Sequence, residues 1–190
     1  MARSTDPERQ LAGFLAKYSD EIACLAEALR LRMCKLFPTA LELVYDNYNA
    51  LAIGYSPSEK ASEAIFSIAL YPEWVSFFFL QARGLSDPDH LLKGGGTVSK
   101  HIVLSSPEDL NGSAIKDLMQ QALETAKAPF PAKGEHRLVI KSVSAKQRPR
   151  RPATKSAFHA KSASSASRAK RPGSANRALT AKRANSAKAR

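Results

Sequence analysis

The chain has 190 residues, enough for one well-filled core or two small domains, and a formal net charge of +12. That charge is unevenly placed: residues 1–140 hold 14 Lys and Arg against 17 Asp and Glu, a net of −3, while residues 141–190 hold 15 Lys and Arg and no acid, a net of +15. The longest apolar run, about seven residues around Trp74, is too short to cross a bilayer, and MARSTDPERQ has no apolar signal core, so membrane-spanning and secretory classes are set aside and a soluble, cytoplasmic protein is expected.

In chain order, Asp6 and Pro7 predict a helix start, as cap and first position, with Leu11, Phe14, Leu15 and Tyr18 on its apolar face. Ser19-Asp20-Glu21 predicts a second helix, along which Ile22, Leu25, Leu29, Met33 and Leu36 recur at three- and four-residue steps until Pro38. Cys24 and Cys34 fall on that helix about 15 Å apart along its axis, beyond disulfide reach. Neither has Cys or His at metal-ligand spacing, so both are expected to be reduced structural thiols, and no residue is assigned as a metal ligand. Residues 39–45 are predicted as a third, short helix, followed by a turn at Asp46-Asn47-Tyr48-Asn49 and a strand over 50–55.

The densest β-branched and aromatic runs follow. Residues 65–71 and 74–80 are each about one strand long and are separated only by Pro72-Glu73, which predicts a hairpin, with Phe66, Ile68 and Leu70 on one face of the first strand and Val75, Phe77 and Phe79 on one face of the second. Residues 84–96 are predicted as a loop holding a short helical turn capped by Asp87. A third strand over 98–104 returns with Val98, Ile102 and Leu104 inward and His101 on the other side. Ser106 caps one helical turn and Ser113 a longer helix carrying Ile115, Leu118, Met119, Ala122 and Leu123, and Leu138-Val139-Ile140 is predicted as a closing strand. The fold class expected is α+β: an antiparallel sheet of about four to five strands with N-terminal and C-terminal helices packed on it.

The segments PTALELVYDNYNALAIGY (38–55), WVSFFFLQ, DPDHLLKGGG, KHIVL, PEDL and RLVIKSVSAKQRPRRP, in this order over roughly residues 8 to 152, resemble the YdhG-like family, the domain of unknown function numbered 1801. The resemblance implies a small α+β domain. For function it implies little. One branch of the family is described as a frataxin-like intracellular iron chaperone, so iron is the one cofactor the resemblance suggests. It carries over no catalytic residues, and the basic tail lies outside it.

Candidate chemistry is sparse. Lys93-Gly94-Gly95-Gly96-Thr97 reads as a phosphate cradle or as a plain turn, and it leads into a strand without the Walker spacing. Asp87, Asp89, His90, Glu108 and Asp109 offer ligands for iron or serve as helix caps. His101 has no nucleophile or carboxylate at a partner spacing, so no catalytic residue is assigned and a non-enzymatic protein is expected. Tyr45, Tyr48, Asn49, Tyr55 and Trp74 either line a small-molecule pocket or complete the core and its rim; Tyr48, Asn49, Tyr55, Trp74 and His101 form the candidate ligand pocket.

The boundary between domain (1–145) and tail (146–190) is set by composition. Beyond Lys141 the only large apolar side chains are Val143, Phe158 and Leu179, too few to offset the entropy of folding, so the tail is expected to be disordered. Its cations, Lys146, Arg148, Arg150, Arg151, Lys155, Lys161, Arg168, Lys170, Arg171, Arg177, Lys182, Arg183, Lys188 and Arg190, predict sequence-independent binding of DNA or RNA through phosphates, which allows a nucleoid-associated location. The segments around Lys170, Lys182 and Lys188 are similar to the Ala/Lys/Pro-rich tails of linker histones and bacterial histone-like proteins.

Overall fold

Side-chain caps start the first two helices. Asp6 accepts from the Glu8 N–H just ahead of Pro7, opening α1 (Pro7–Leu15), and Ser19 Oγ accepts from the Ile22 N–H, opening α2 (Asp20–Leu36). Pro38 bars helical backbone at the residue before it, and Phe37 turns to φ −130°, which ends α2. The computed structural model describes residues 6–152. The expected disorder of the tail and the expected phosphate contacts from Lys155 to Arg190 lie outside the described residues.

After α2 come β1 (Leu41–Asp46), β2 (Leu51–Ser56), β3 (Phe66–Leu70), β4 (Val75–Phe79), β5 (Lys100–Leu104), α3 (Ser113–Glu124) and β6 (Arg137–Val143). The class is α+β. The strands form one sheet in the order β5-β4-β3-β2-β1-β6; the first five make an antiparallel meander, and β6 returns to the far edge parallel to β1. The sheet is therefore mixed and six-stranded, where an antiparallel sheet of about four to five was expected.

The segment predicted as a third helix, 39–45, is instead β1. Its Ala, Leu and Glu favour helix by only about a few tenths of a kcal/mol per residue. Pairing with β2 on one side and β6 on the other, with Leu43 and Val44 fully buried, outweighs that preference. Two smaller differences have local causes. At 87–92 the chain closes a single turn, His90 N–H donating to Asp87 O at 3.2 Å while the Asp87 carboxylate accepts from Leu91 and Leu92 N–H, and His90 at φ 53° keeps it from continuing as a helix. Val98 lies outside β5 and is exposed, and Ser113 is the first residue of α3 while Gly112 precedes it.

Register decides what each face of the sheet carries. Tyr55, Phe66 and Phe79 align across β2, β3 and β4; so do Ile53, Ile68, Phe77 and Ile102, then Leu51, Leu70, Val75 and Leu104. These rows are buried in one cluster with Leu11, Phe14, Tyr18, Leu29 and Met33 from the first two helices and Ile115, Leu118 and Met119 from α3. All the helices thus cover one face. The opposite face is left to loops.

Beyond β6 the chain stays attached. Ser144 N–H donates to Asp46 O at 2.8 Å, Arg148 N–H to Tyr48 O at 3.0 Å, and Arg151 Nε to Tyr18 O at 2.9 Å. Residues 146–152, assigned by composition to the tail, lie along the end of β1 and the junction of α1 and α2. Charge count alone does not see such contacts.

Candidate functional site

The uncovered face of the sheet is built from the alternate residues of the same strands. One row reads Leu43, Gly54, Ser67, Phe78 and His101; the next reads Tyr45, Ala52, Ala69, Ser76 and Val103. The centre of this face is a floor of Gly, Ala and Ser, and larger side chains stand around it. The result is a groove of about 430 Å³, lined on the floor by Ala52, Ser67 and Ala69 and on the walls by Tyr48, Asn49, Tyr71 and Phe78. Small floor residues make the depth, because each larger side chain there would fill it. Two buried hydroxyls on the same face, Tyr45 Oη and Ser76 Oγ, find no hydrogen-bond partner among the described residues. A mostly apolar concavity with a few polar groups at its rim, here Tyr48 and Asn49, is the usual form of a small-ligand site.

The candidate pocket residues divide between the two faces. Tyr48 and Asn49 line the groove. Trp74 stacks on the lining residue Tyr71 at 4.9 Å, and His101 stacks on the lining residue Phe78 at 5.0 Å, so both stand beside it. Tyr55 does not belong to it. It aligns with Phe66 on the helix-covered face and is fully buried, because strand alternation puts it opposite to its neighbour Gly54.

The other candidates resolve into structural roles. Lys93 and His101 exchange two backbone hydrogen bonds, 2.8 and 3.0 Å, so the glycine-rich stretch between them is the tip of a returning loop, with Gly94 supplying its φ of 110°. Asp109 accepts from the Ser105 and Ser106 N–H groups in a capping box, Asp87 is held by its own turn, and Asp89, His90 and Glu108 are exposed.

Two buried carboxylates escaped notice in the sequence. β1 points Glu42, Val44 and Asp46 toward the helices, and both acids are fully buried. Asp46 accepts from Arg150 at 2.9 Å, Lys17 at 2.8 Å and Gln147 at 2.5 Å, and Arg150 also donates to Asn47 O and lies over the Tyr18 ring. Arg150 is 5% exposed. Arg150 and Arg151, expected among the phosphate contacts, are instead committed to the domain. A buried carboxylate needs a partner that stays charged, and guanidinium supplies it. Lys146 and Arg148 are exposed.

Glu42 is gripped by Arg30, whose Nε lies 2.7 and 2.9 Å from the two carboxylate oxygens and whose second nitrogen also reaches Glu8 at 2.6 Å. Around Glu42 the fold gathers Cys34 from the last turns of α2 and His136 from the segment before β6. Cys34 Sγ is 3.7 Å from Glu42 Oε1 and 3.4 Å from His136 Nε2, and His136 Nε2 is 3.3 Å from Glu42 Oε2. Burial, then the Glu42 charge, pushes the Cys34 thiol from 9.0 up to about 12. A thiol held protonated in this way is no nucleophile, although an imidazole stands beside it. Tyr55, buried next to the same carboxylate, is pushed well above 10.0 for the same reasons. No short-range motif announces this group, because its members stand at positions 34, 42 and 136 and only the β1–β6 pairing brings them together.

No family model matches this chain, and neither a curated protein nor a solved structure matches it.

Proposed function

We propose that this chain is a non-enzymatic binding protein with two binding parts: the domain takes a small, largely apolar ligand on the open face of its sheet, and the basic C-terminal segment holds nucleic acid through phosphates. The observation that carries the first part is the floor of Ala52, Ser67 and Ala69 under an aromatic wall. Phe78 and Tyr71 offer flat apolar area, and Tyr48 and Asn49 offer polar contacts at the rim. The second part is supported by the 15 cations without a single acid from residue 141 onward. Affiliation with the YdhG-like family belongs to the same proposal and rests on the ordered segments between residues 38 and 152. The non-enzymatic assignment is supported by the surroundings of Cys34, where burial and the Glu42 charge push the thiol up although His136 stands beside it.

N-phenyl-1-naphthylamine, a neutral dye that brightens in apolar surroundings and has no charge to attract the tail, tests the groove. The full chain is expected to bind it saturably, and Ala69→Leu or Ala52→Leu, which fill the floor, to weaken binding at least tenfold with the melting transition retained. Equal binding by folded variants would place the dye elsewhere and refute the groove as the binding surface.

A further inference from the structure

We propose that Cys34, Glu42 and His136 form a binding site for one thiophilic divalent metal ion, zinc by preference, at the junction of α2, β1 and the segment leading into β6. The three ligand types are those zinc accepts together, and among the described residues they are the one group of this kind. Their spacing carries the inference. Tetrahedral zinc with bonds of about 2.3 Å to sulfur and 2.0–2.1 Å to nitrogen or oxygen holds its ligands about 3.5 Å apart across sulfur edges and about 3.3 Å apart across a nitrogen–oxygen edge. Here the edges are 3.4 Å for Sγ to Nε2, 3.7 Å for Sγ to Oε1 and 3.3 Å for Nε2 to Oε2. The sulfur and nitrogen edges fall on different oxygens of the Glu42 carboxylate, and one ligand atom from each of the three residues lies within 4.8 Å of the others, close enough to converge on one ion on the far side of the sheet from the groove.

Charge points the same way. Glu8, Arg30 and Glu42 together carry −1, and loss of the Cys34 proton adds another, so a divalent cation brings the cluster to neutrality. Arg30 binds Glu42 from one side and orients it, leaving lone pairs directed at Sγ and Nε2. The fully buried Tyr55 hydroxyl lies beside Glu42 and Cys34, on the same side of the sheet as the cluster. Cys34 and His136 are each partly exposed, so solvent reaches the fourth position. Binding is written as thiol plus neutral imidazole plus carboxylate plus M²⁺, giving the metal thiolate and one released proton; the ion is neither oxidised nor reduced. Apparent affinity therefore rises about tenfold per pH unit below the thiol pKa.

Cobalt(II) titration of the full chain under reducing conditions tests the site. One equivalent is expected to produce the near-ultraviolet thiolate-to-cobalt charge-transfer band, and zinc to abolish it. Cys24→Ser should retain the band and Cys34→Ser should lose it. His136→Gln, a change at a partly exposed position outside any helix or strand, should weaken cobalt binding at least tenfold while the protein stays folded. A wild-type titration without the thiolate band at saturating cobalt, or a band that follows Cys24, would overturn the proposal.

Discussion

His101 shows how a single side chain ties the sheet to pH. It stacks on Phe78 beside the groove, and burial, with the Lys93 charge next, holds its pKa below 6.5. The folded state therefore prefers the neutral ring. As pH falls below 6.5 the unfolded chain takes up a proton that the folded chain refuses, so the stability this residue contributes is fully present above 6.5 and is lost progressively as pH falls to the lowered folded pKa. His101→Phe keeps the stack and removes the titration. Urea denaturation across pH 5 to 7.5 is expected to show a shallower acid-side slope for the variant; identical slopes would show that His101 is not a source of the dependence. At this scale the sequence was legible in part. Placing His101 on the face opposite Ile102 needed only strand alternation, whereas Tyr48 and Asn49, neighbours in the loop between β1 and β2, both line the groove and are placed by that loop. Cys34, Glu42 and His136 were not legible, because chain separations of 8 and 102 residues from Cys34 carry no local pattern.

At the scale of elements, the caps were the more dependable signals, with Ser113, which lies inside α3, the exception. Asp6, Ser19 and Ser106 each accept the N–H expected of them, since capping is a contact within one turn and depends little on the rest of the chain. β1 was illegible for the opposite reason: its strand state comes from partners at 51–56 and 137–143, and its buried acids look like the wet face of a helix until Arg30 and Arg150 are placed against them. Tyr18 locks the first helices to the sheet. Its hydroxyl donates to Leu70 O at 3.1 Å and accepts from Leu51 N–H at 3.0 Å, so it joins the paired ends of β2 and β3. Burial raises its pKa to about 12, which keeps the donor proton in place. Tyr18→Phe preserves the ring and leaves a buried strand amide and carbonyl unanswered, and we expect a loss of about 1–3 kcal/mol in chemical denaturation. A change under about 0.3 kcal/mol would mean that water or backbone relaxation replaces the hydroxyl.

For the whole molecule, charge asymmetry was plain in the composition, whereas the point at which the domain ends was not. Arg150 and Arg151 read as tail cations and act as domain pins. The cations of the 153–190 segment remain for phosphates in the proposed function. If about six to ten of them engage, duplex affinity measured by fluorescence anisotropy should fall on the order of a thousandfold or more between about 50 and 200 mM salt, and residues 1–152 alone should not bind. Equal binding by the shortened chain would move the nucleic-acid surface onto the domain.

The open sheet face as a ligand surface is tested most directly by mapping backbone amide shifts in isotope-labelled full-length protein as N-phenyl-1-naphthylamine is added. We predict saturable shifts concentrated at Ala52, Ser67, Ala69, Phe78 and Ser99, the residues of the groove and its edge. Shifts confined to α1 and α2, or none at saturating dye, would contradict it.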